Sequence, residues 1–204
     1  APGTFDPRTV IQQLDRVIPK DWDLVSGSGH QAYFQTHMRG RKPENFHVMR
    51  EFGAIGNSIS IAMGVAAARG NGKVALIEGD GSLIMTCQEL ATAVRHQIPV
   101  KVFLMNNGYF GMVRQWQELF WEGRYSAVEM GPSPDWAKLA DAFGAKGLMV
   151  DDKNEVEGAM RDFMRIALER DPRSLAFLDE VRAAPARPPA PARPPAPVRP
   201  PAHL

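Results

Sequence analysis

Two apolar runs, separated by the length of one helix, constrain the fold of this chain most strongly. The first run, KVALIEG, covers residues 73–79, and the second, VKVFLMN, covers residues 100–106. Both are nearly continuous in apolar residues, as expected of strands that are buried on both faces of a sheet. Residues 83–96 between them have helical spacing and end before Pro99. A strand, a helix and a second strand predict parallel pairing with a right-handed crossover.

The same alternation of strands and helices continues along residues 1–181. Further strands are predicted at 23–27, 146–150 and 174–180, and further helices at 53–70, 135–143 and 155–170. Alternation of this kind predicts a doubly wound α/β domain, with a mostly parallel sheet and helices on both faces.

The remaining residues, 182–204, form a tail rich in proline and arginine. This tail holds nine of the chain's seventeen prolines. Such a repeat does not form a helix or a central strand, and it favours extended polyproline II geometry. We predict a disordered tail that acts as a spacer or simple extension. A ligand for an aromatic groove is the alternative interpretation.

Composition and charge exclude several classes of function. The formal net charge is +1, and the tail carries four arginines and no acidic residue, which leaves −3 on residues 1–180. A mildly acidic domain gives no support for nucleic-acid binding. A single cysteine excludes an internal disulfide and a cysteine metal cluster, which fits a cytoplasmic location. No apolar run approaches about 18 residues, so we expect no membrane span. The first residue is Ala, and the sequence leaves open whether Ala1 is a natural start.

Polar motifs follow both of the apolar runs. GDGS occupies residues 79–82 and NNGY residues 106–109. Ligands of doubly wound sheets bind outside the carboxyl ends of the strands, where both motifs are predicted to lie. Glycines allow a sharp turn close to an anion, and Asp and Asn oxygens are ligands that Mg²⁺ prefers. Each motif alone is typical of a turn, whereas together they predict one Mg²⁺–phosphate site.

A long run begins GDGSLIMTCQEL and continues through NNGYFGMVRQWQ and PDWAKLADAFGAKG. This run resembles the catalytic subunit of acetolactate (acetohydroxyacid) synthase. GDGS followed by NN after 24 residues is similar to the signature of thiamine diphosphate enzymes. The resemblance covers roughly residues 20–180 and implies the diphosphate-binding domain of that family. It implies that Mg²⁺ is bound by Asp80, Asn107 and the backbone carbonyl of Tyr109. It places Gly79, Gly81, Ser82 and Asn107 at the cofactor.

Weaker candidates come from three other segments. In SGSGHQ, the resemblance implies a phosphate loop with Gly29, His30 and Gln31, although a surface histidine is an equal alternative for His30. In GAIG, Ile55 stands where the family has a bulky residue that wedges the cofactor into a bent shape; a core isoleucine is the alternative. In GMVRQWQ, Met112 and Trp116 match residues that shape the substrate pocket of the family. The alternative is a Met–Trp pair in the core, since residues four apart lie on one helical face.

The resemblance also implies a reaction and a missing part. The family decarboxylates pyruvate or another 2-oxoacid and joins the product to a second 2-oxoacid, a transferase or lyase activity of branched-chain amino acid biosynthesis. The glutamate that activates the cofactor lies on a pyrimidine-binding domain, usually in the other subunit of a dimer. We find no counterpart of that domain or of the FAD-associated domain in this chain. We therefore predict no catalytic residue here, and no activity without a pyrimidine-binding partner; FAD is possible in the complete enzyme.

Departures from the family pattern keep alternatives open. The segment MREFGAIGNSISIAMG has Ser60 where the family has a proline, and the chain diverges after FLDE. A relative that acts on another 2-oxoacid or on an acyl-CoA therefore stays open. The alternatives are the diphosphate-binding subunit of a split 2-oxoacid decarboxylase and a cofactor-binding module without catalysis.

Overall fold

The computed structural model describes residues 6–151 and, beyond them, residues 155, 158 and 159. Its four strands are β1 (Asp23–Ser26), β2 (Phe46–Val48), β3 (Val74–Gly79) and β4 (Val100–Met105). Its helices are α1 (Pro7–Val17), α2 (His30–Gln35), α3 (Ser58–Arg69), α4 (Asp80–Thr86), α5 (Glu89–Arg95), α6 (Gly111–Phe120) and α7 (Trp136–Ala142). None of these helices has the length and apolar character that a bilayer crossing requires.

The described strands form one parallel sheet in the order β2-β1-β3-β4. The pairing of β3 with β4 runs from Val74 opposite Val100 to Gly79 opposite Met105, so the two strands end level. After β1 the chain moves outward to β2 at one edge of this sheet, and after β3 it moves outward to β4 at the opposite edge. The carboxyl ends of β1 and β3 therefore form the switch point at which doubly wound sheets bind ligands. The predicted fold class is confirmed.

The core lies on both faces of the two central strands. On one face, Val25, Val74 and Leu76 pack against the apolar and small residues of α3. Because side chains alternate along a strand, the fully buried Leu24, Ala75 and Ile77 point to the opposite face. On that side α2 contacts β3, and α1 in turn contacts α2. Side chains on both faces of β1 and β3 are thus removed from water, as the run at residues 73–79 predicted. The run that forms β4 is less buried than predicted: five of its six residues are only partly buried, because β4 lies at the edge of the described sheet.

Two predicted helices have different boundaries in the structure. The helix predicted at 53–70 begins only at Ser58, because Gly56 has a φ of +88°, outside the right-handed helical region. The helix predicted at 83–96 begins three residues earlier, at Asp80, directly after the extended Gly79. It is divided into α4 and α5 at Cys87 and Gln88, which keep helical backbone angles.

The strand predicted at residues 146–150 is wrong, because this segment forms no strand. Gly147 lies against the backbone of α7: a Cβ there would be 2.5 Å from the Cα of Ala137. Leu148 and Met149 are 47% and 63% exposed. The segment therefore packs against a helix instead of pairing with the sheet, and its apolar side chains are not buried. The helix predicted at 155–170, the strand at 174–180 and the tail 182–204 lie outside the described residues, apart from 155, 158 and 159.

Candidate functional site

The two polar motifs meet at the carboxyl edge of the sheet. Asp80 is the first residue of α4 and is 3% exposed. Its Oδ2 accepts a hydrogen bond of 2.7 Å from the backbone N–H of Gly108. Among the hydrogen bonds of the described residues none ends on Oδ1 of Asp80, so this carboxylate oxygen has acceptor capacity left for a cation. The predicted adjacency of GDGS and NNGY is confirmed by this hydrogen bond.

The loop at residues 106–110 is held in a defined conformation. The N–H of Tyr109 donates to Oδ1 of Asn107 at 3.0 Å. The loop is also bridged to residues 128–130: Phe110 N–H donates to the Val128 carbonyl, and Met130 N–H donates to the Gly108 carbonyl. Neither bond uses the carbonyl of Tyr109. This carbonyl oxygen therefore has free acceptor capacity on a fixed backbone.

These oxygens fit a hard divalent cation better than a soft one. Across the described residues, no group of three or more His, Cys, Asp or Glu side chains is placed to hold a metal. A metal here would depend on the Asp80 carboxylate together with neutral amide and carbonyl oxygens, the ligands that Mg²⁺ takes alongside phosphate. The donor set thus fits the Mg²⁺ implied by the sequence.

Close packing at Gly81 explains why the motif needs a glycine at that position. A Cβ on Gly81 would lie 3.0 and 3.1 Å from two ring carbons of Phe110 and 3.3 Å from the sulfur of Met130. The start of α4 is therefore in direct contact with the loop that carries Asn107. A methyl group at position 81 would require the Phe110 ring to shift by a few tenths of an ångström.

We expect Gly81→Ala to destabilise the domain by about 1–3 kcal/mol, because the new methyl group overpacks the contact with Phe110. The measurement is the free energy of unfolding in urea. Gly64→Ala is the matched control: Gly64 lies in α3, and a Cβ there would have no heavy atom within 4 Å, so alanine should stabilise by about 0.5–1 kcal/mol. Equal effects of the two substitutions would contradict the packing argument.

The segment that carries Ile55 is attached to α4 by two hydrogen bonds. The N–H of Gly56 donates to the Ser82 hydroxyl at 2.8 Å, and the Thr86 hydroxyl donates to the Gly56 carbonyl at 2.8 Å. Ile55 itself is half-buried. GAIG is thereby fixed beside GDGS, which places Ile55 near the predicted cofactor segment.

The end of β1 contributes the third segment of the site. Gln31 Nε2 donates to the Ser28 carbonyl at 2.9 Å, and a Cβ on Gly79 would lie 3.4 Å from Gln31 Oε1. The loop Gly27–Gly29 and the start of α2 thus lie directly beside the start of α4. Gly29, His30 and Gln31 are brought to the same edge of the sheet as Asp80.

A cavity of about 440 Å³ opens between His30 and α6. His30 Nε2 lies 2.8 Å from Oε1 of Gln115 on that helix. Arg114 also lines the cavity, with its guanidinium 4.3 Å from the ring centre of Tyr109 and 4.8 Å from that of Tyr125. The cavity lining further includes Asn107, Gly111, Glu118 and Leu119. Polar and charged groups of both signs therefore surround this space.

Asp80 lines a second cavity of about 240 Å³, together with Gly108, Ile84 and residues 130–134. Asp80 and Asn107 thus line different cavities. Met112 and Trp116 line neither of these cavities, and Trp116 is 53% exposed. The alternative of a Met–Trp core pair is therefore not supported for Trp116.

Glu78 is a site residue that sequence reasoning missed. It is 1% exposed, and it is hydrogen-bonded to the Ser58 hydroxyl and to the N–H of Gly79. Burial raises the pKa of the Glu78 carboxyl, while the hydrogen bonds from Ser58, Gly79 and Ser82 act in the opposite direction. The available signal was an acidic residue inside the otherwise apolar run KVALIEG.

Comparison with known proteins identifies the family. Residues 27–176 match the thiamine pyrophosphate enzyme family, specifically its C-terminal TPP binding domain. The chain belongs to this family. Thiamine pyrophosphate is the same compound as thiamine diphosphate, so the predicted cofactor class agrees with the ligand in the family's name. The match includes the segments that carry Gln31, Ile55, Asp80 and Asn107.

Relatives of this thiamine pyrophosphate enzyme domain are acetolactate synthases. The large subunit of acetolactate synthase isozyme 2 from Escherichia coli is 40% identical over 152 residues, which cover 74% of this chain and 28% of that protein. The mitochondrial catalytic subunit from Saccharomyces cerevisiae is 37% identical over 168 residues, 80% of this chain and 24% of that protein. This chain therefore spans about a quarter of the length of these relatives.

Solved structures support the fold independently. A thiamine diphosphate-dependent 4-hydroxybenzoylformate decarboxylase from Rhodococcus jostii has a TM-score of 0.72 and 22% sequence identity, over 83% of this chain and 31% of that one. A benzoylformate decarboxylase from Polynucleobacter necessarius has a TM-score of 0.70 and 24% identity, over 81% of this chain and 31% of that one. At this identity the likeness concerns the fold alone.

Proposed function

We propose that this chain is the diphosphate-binding domain of an acetolactate synthase-like enzyme that decarboxylates pyruvate or another 2-oxoacid and joins the product to a second 2-oxoacid. The observation that carries the proposal is the 40% identity with the E. coli acetolactate synthase large subunit over 152 residues. The contact between Asp80 and Gly108 supports it from the geometry.

Mg²⁺ is assigned to oxygens at the carboxyl edge. Asp80 binds it through Oδ1, on which no described hydrogen bond ends, and the Tyr109 carbonyl is a second ligand. The third protein ligand is the Asn107 amide oxygen, which accepts from the Tyr109 N–H with one lone pair and keeps the other for the ion. One charged carboxylate and two neutral oxygens leave further coordination positions on the ion. At Mg²⁺ sites phosphate oxygens commonly occupy such positions.

The diphosphate is assigned to the segments beside Asp80. Gly79, Gly81 and Ser82 approach it from the start of α4, and Gly29, His30 and Gln31 from the end of β1. The Ser82 hydroxyl already accepts a hydrogen bond from Gly56, so its backbone N–H is the group we assign to the cofactor. His30 lines the larger cavity together with Asn107, which supports its place in this set.

Ile55 is assigned to the bend of the cofactor. Its segment is hydrogen-bonded to α4 through Gly56, which holds the backbone of the segment beside the start of α4.

When bound, thiamine diphosphate supplies the nucleophilic carbon that takes up the acyl group of a 2-oxoacid as the carboxyl group leaves. The residues of this chain bind and orient the cofactor; the group that moves its proton is assigned to the partner domain.

Helix α6 supports the need for a partner. Along it and just after it, large apolar side chains are exposed: Val113, Trp116, Leu119, Phe120 and Trp121. A patch of this kind is typical of an interaction site. We assign it to the pyrimidine-binding domain or subunit, within a homo-oligomer, and keep Met112 and Trp116 as candidates for the substrate pocket that this assembly would complete.

FAD and a cytoplasmic location stay predictions for the complete enzyme. The flavin prediction is tested by the absorption spectrum of the purified assembly. As to location, the relatives from S. cerevisiae and Schizosaccharomyces pombe are mitochondrial acetolactate synthases.

A chimeric enzyme tests the proposed reaction. The matching C-terminal part of the E. coli isozyme 2 large subunit is replaced by this chain, and acetolactate formation from pyruvate is measured with thiamine diphosphate and Mg²⁺. We expect the chimera to form acetolactate and the isolated chain to form none, because the activating glutamate comes from the E. coli part. The same chimera carrying Asp80→Asn serves as the inactive control.

Three outcomes would contradict the proposal in different ways. Acetaldehyde without acetolactate would favour the alternative of a 2-oxoacid decarboxylase. A folded chimera that binds the cofactor without any turnover would favour a non-catalytic module. Turnover of pyruvate by the isolated chain would contradict the need for a pyrimidine-binding partner.

A further inference from the structure

Glu78 lies where three segments of the candidate site come together. It is the residue before Gly79 at the end of β3, and its side chain is 1% exposed. The three segments are the β1 loop (residues 27–31), the Ile55 segment with the first residue of α3 (residues 55–58), and the start of α4 with Gly79 (residues 79–82). An acidic side chain is rarely this buried unless it is paired or hydrogen-bonded.

The carboxylate of Glu78 bonds to each of these segments. Oε1 accepts from the backbone N–H of Gly79 at 3.0 Å and from Nε2 of Gln31 at 3.4 Å. Oε2 is hydrogen-bonded to the hydroxyl of Ser58. One side chain therefore connects the ends of two neighbouring strands with the helix that follows the Ile55 segment.

The β1 loop packs closely against the Glu78 carboxylate. A Cβ on Gly27 would lie 2.3 Å from the Ser58 hydroxyl oxygen and 3.1 Å from Oε1 of Glu78. A residue with a side chain at position 27 would displace the Ser58–Glu78 pair. The backbone of the loop thus approaches the pair as closely as a glycine allows.

We propose that Glu78 is a positioning residue that fixes the β1 loop, the Ile55 segment and the start of α4 relative to one another. It acts through Gln31, Gly79 and Ser58 and does not itself touch the cofactor. Its consequence for cofactor affinity rests on the proposed function, whereas its effect on the order of the three segments does not.

Two substitutions at Glu78 distinguish the effect of its hydrogen bonds from the effect of its volume. In Glu78→Gln, the amide oxygen still accepts from Gly79 and Gln31, and the amide nitrogen donates to the Ser58 hydroxyl, which then acts as acceptor. Glu78→Leu fills a similar volume without any of these bonds. Ile11→Ala is a control for general destabilisation, because Ile11 is fully buried in α1 and its truncation leaves a cavity in the core.

The experiment is amide hydrogen exchange with mass spectrometry on the full 204-residue chain. We expect Glu78→Leu to speed exchange by about tenfold or more in peptides covering 27–35 and 79–86, relative to peptides covering α1. Glu78→Gln should stay within about threefold of the original chain in both regions, since its bonds are kept. The same variants are then compared in their thermal stabilisation by thiamine diphosphate with Mg²⁺, which Glu78→Leu should weaken and Glu78→Gln should retain.

The proposal is overturned if Glu78→Leu leaves exchange in the two regions unchanged, or if Glu78→Gln matches Glu78→Leu. It is also overturned if Ile11→Ala speeds exchange in these two regions by the same factor relative to peptides covering α1, since the effect would then not be specific to Glu78. Failure of the original chain to be stabilised by thiamine diphosphate with Mg²⁺ would instead count against the proposed function, and the exchange comparison would still decide the role of Glu78.

Discussion

We expect Asp80→Asn to abolish the Mg²⁺-dependent binding of thiamine diphosphate. The asparagine oxygen still accepts from Gly108, so the contact between GDGS and the 106–110 loop is kept. The substitution removes the negative charge and puts an amide NH₂ where Oδ1 is left for the cation. Since Asp80 is the charged member of the proposed ligand set, we expect the affinity to fall by about 100-fold or more.

Calorimetric titration of the chain with thiamine diphosphate, with and without Mg²⁺, measures this effect. Asp21→Asn is the matched control, because Asp21 forms an exposed ion pair with Lys73 at 2.9 Å and lies outside the proposed site. Such pairs contribute about 0–1 kcal/mol to stability, so cofactor binding should be unchanged. Unaltered Mg²⁺-dependent affinity in Asp80→Asn would rule out Asp80 as a metal ligand.

The free energy of unfolding should rise between pH 8 and pH 10.5 because of Lys101. This side chain is 5% exposed; its ammonium donates to the Gly72 carbonyl at 2.6 Å and lies 5.0 Å from the ring centre of Trp22. Burial lowers the pKa of Lys101 from 10.5 to about 8. In this window the unfolded chain keeps the proton that the folded chain has lost. Unfolding then takes up a proton, so stability increases with pH, by up to about 3 kcal/mol in total.

Lys101→Met isolates this contribution from other groups that titrate at high pH. The measurement is urea unfolding, followed by tryptophan fluorescence, of the original chain and the variant at a series of pH values. The stability of the original chain relative to Lys101→Met should increase as the pH rises from 8 to 10.5 and stay constant below pH 8. A difference independent of pH across this window would show that the folded pKa of Lys101 is not lowered.

Local sequence pattern predicted the central strands and the site at their ends. The apolar run that became β3 is buried on both faces, as expected of a strand in a parallel sheet that is covered by helices on each side. The run that became β4 pairs with β3 as predicted, although its residues are mostly half-buried. The polar residues directly after each run had to emerge at the same edge. The contact between Asp80 and Gly108 follows from this arrangement.

Other elements were missed because their pattern is weak or their partners are distant. Helices α1 and α2 and strand β2 were not predicted; α2 has six residues and β2 only three, too few to give a period. Residues 146–150 look like a strand in sequence, but Gly147 packs against Ala137 of α7 and the segment stays outside the sheet. Short apolar runs do not specify which surface covers them.

The sequence by itself determined the strands β1, β3 and β4, the family resemblance and the residues proposed to approach the cofactor, because apolar runs and glycine-rich turns leave local patterns. Only the tertiary structure decided that Glu78 joins three segments, that Arg114 and His30 line one cavity, and that Trp116 is exposed. These features depend on which side chains meet across 20 to 85 residues of chain. The hydrogen-bond partners of a buried polar group are the groups that the fold brings within about 3 Å of it. Local sequence periodicity does not predict which groups these are.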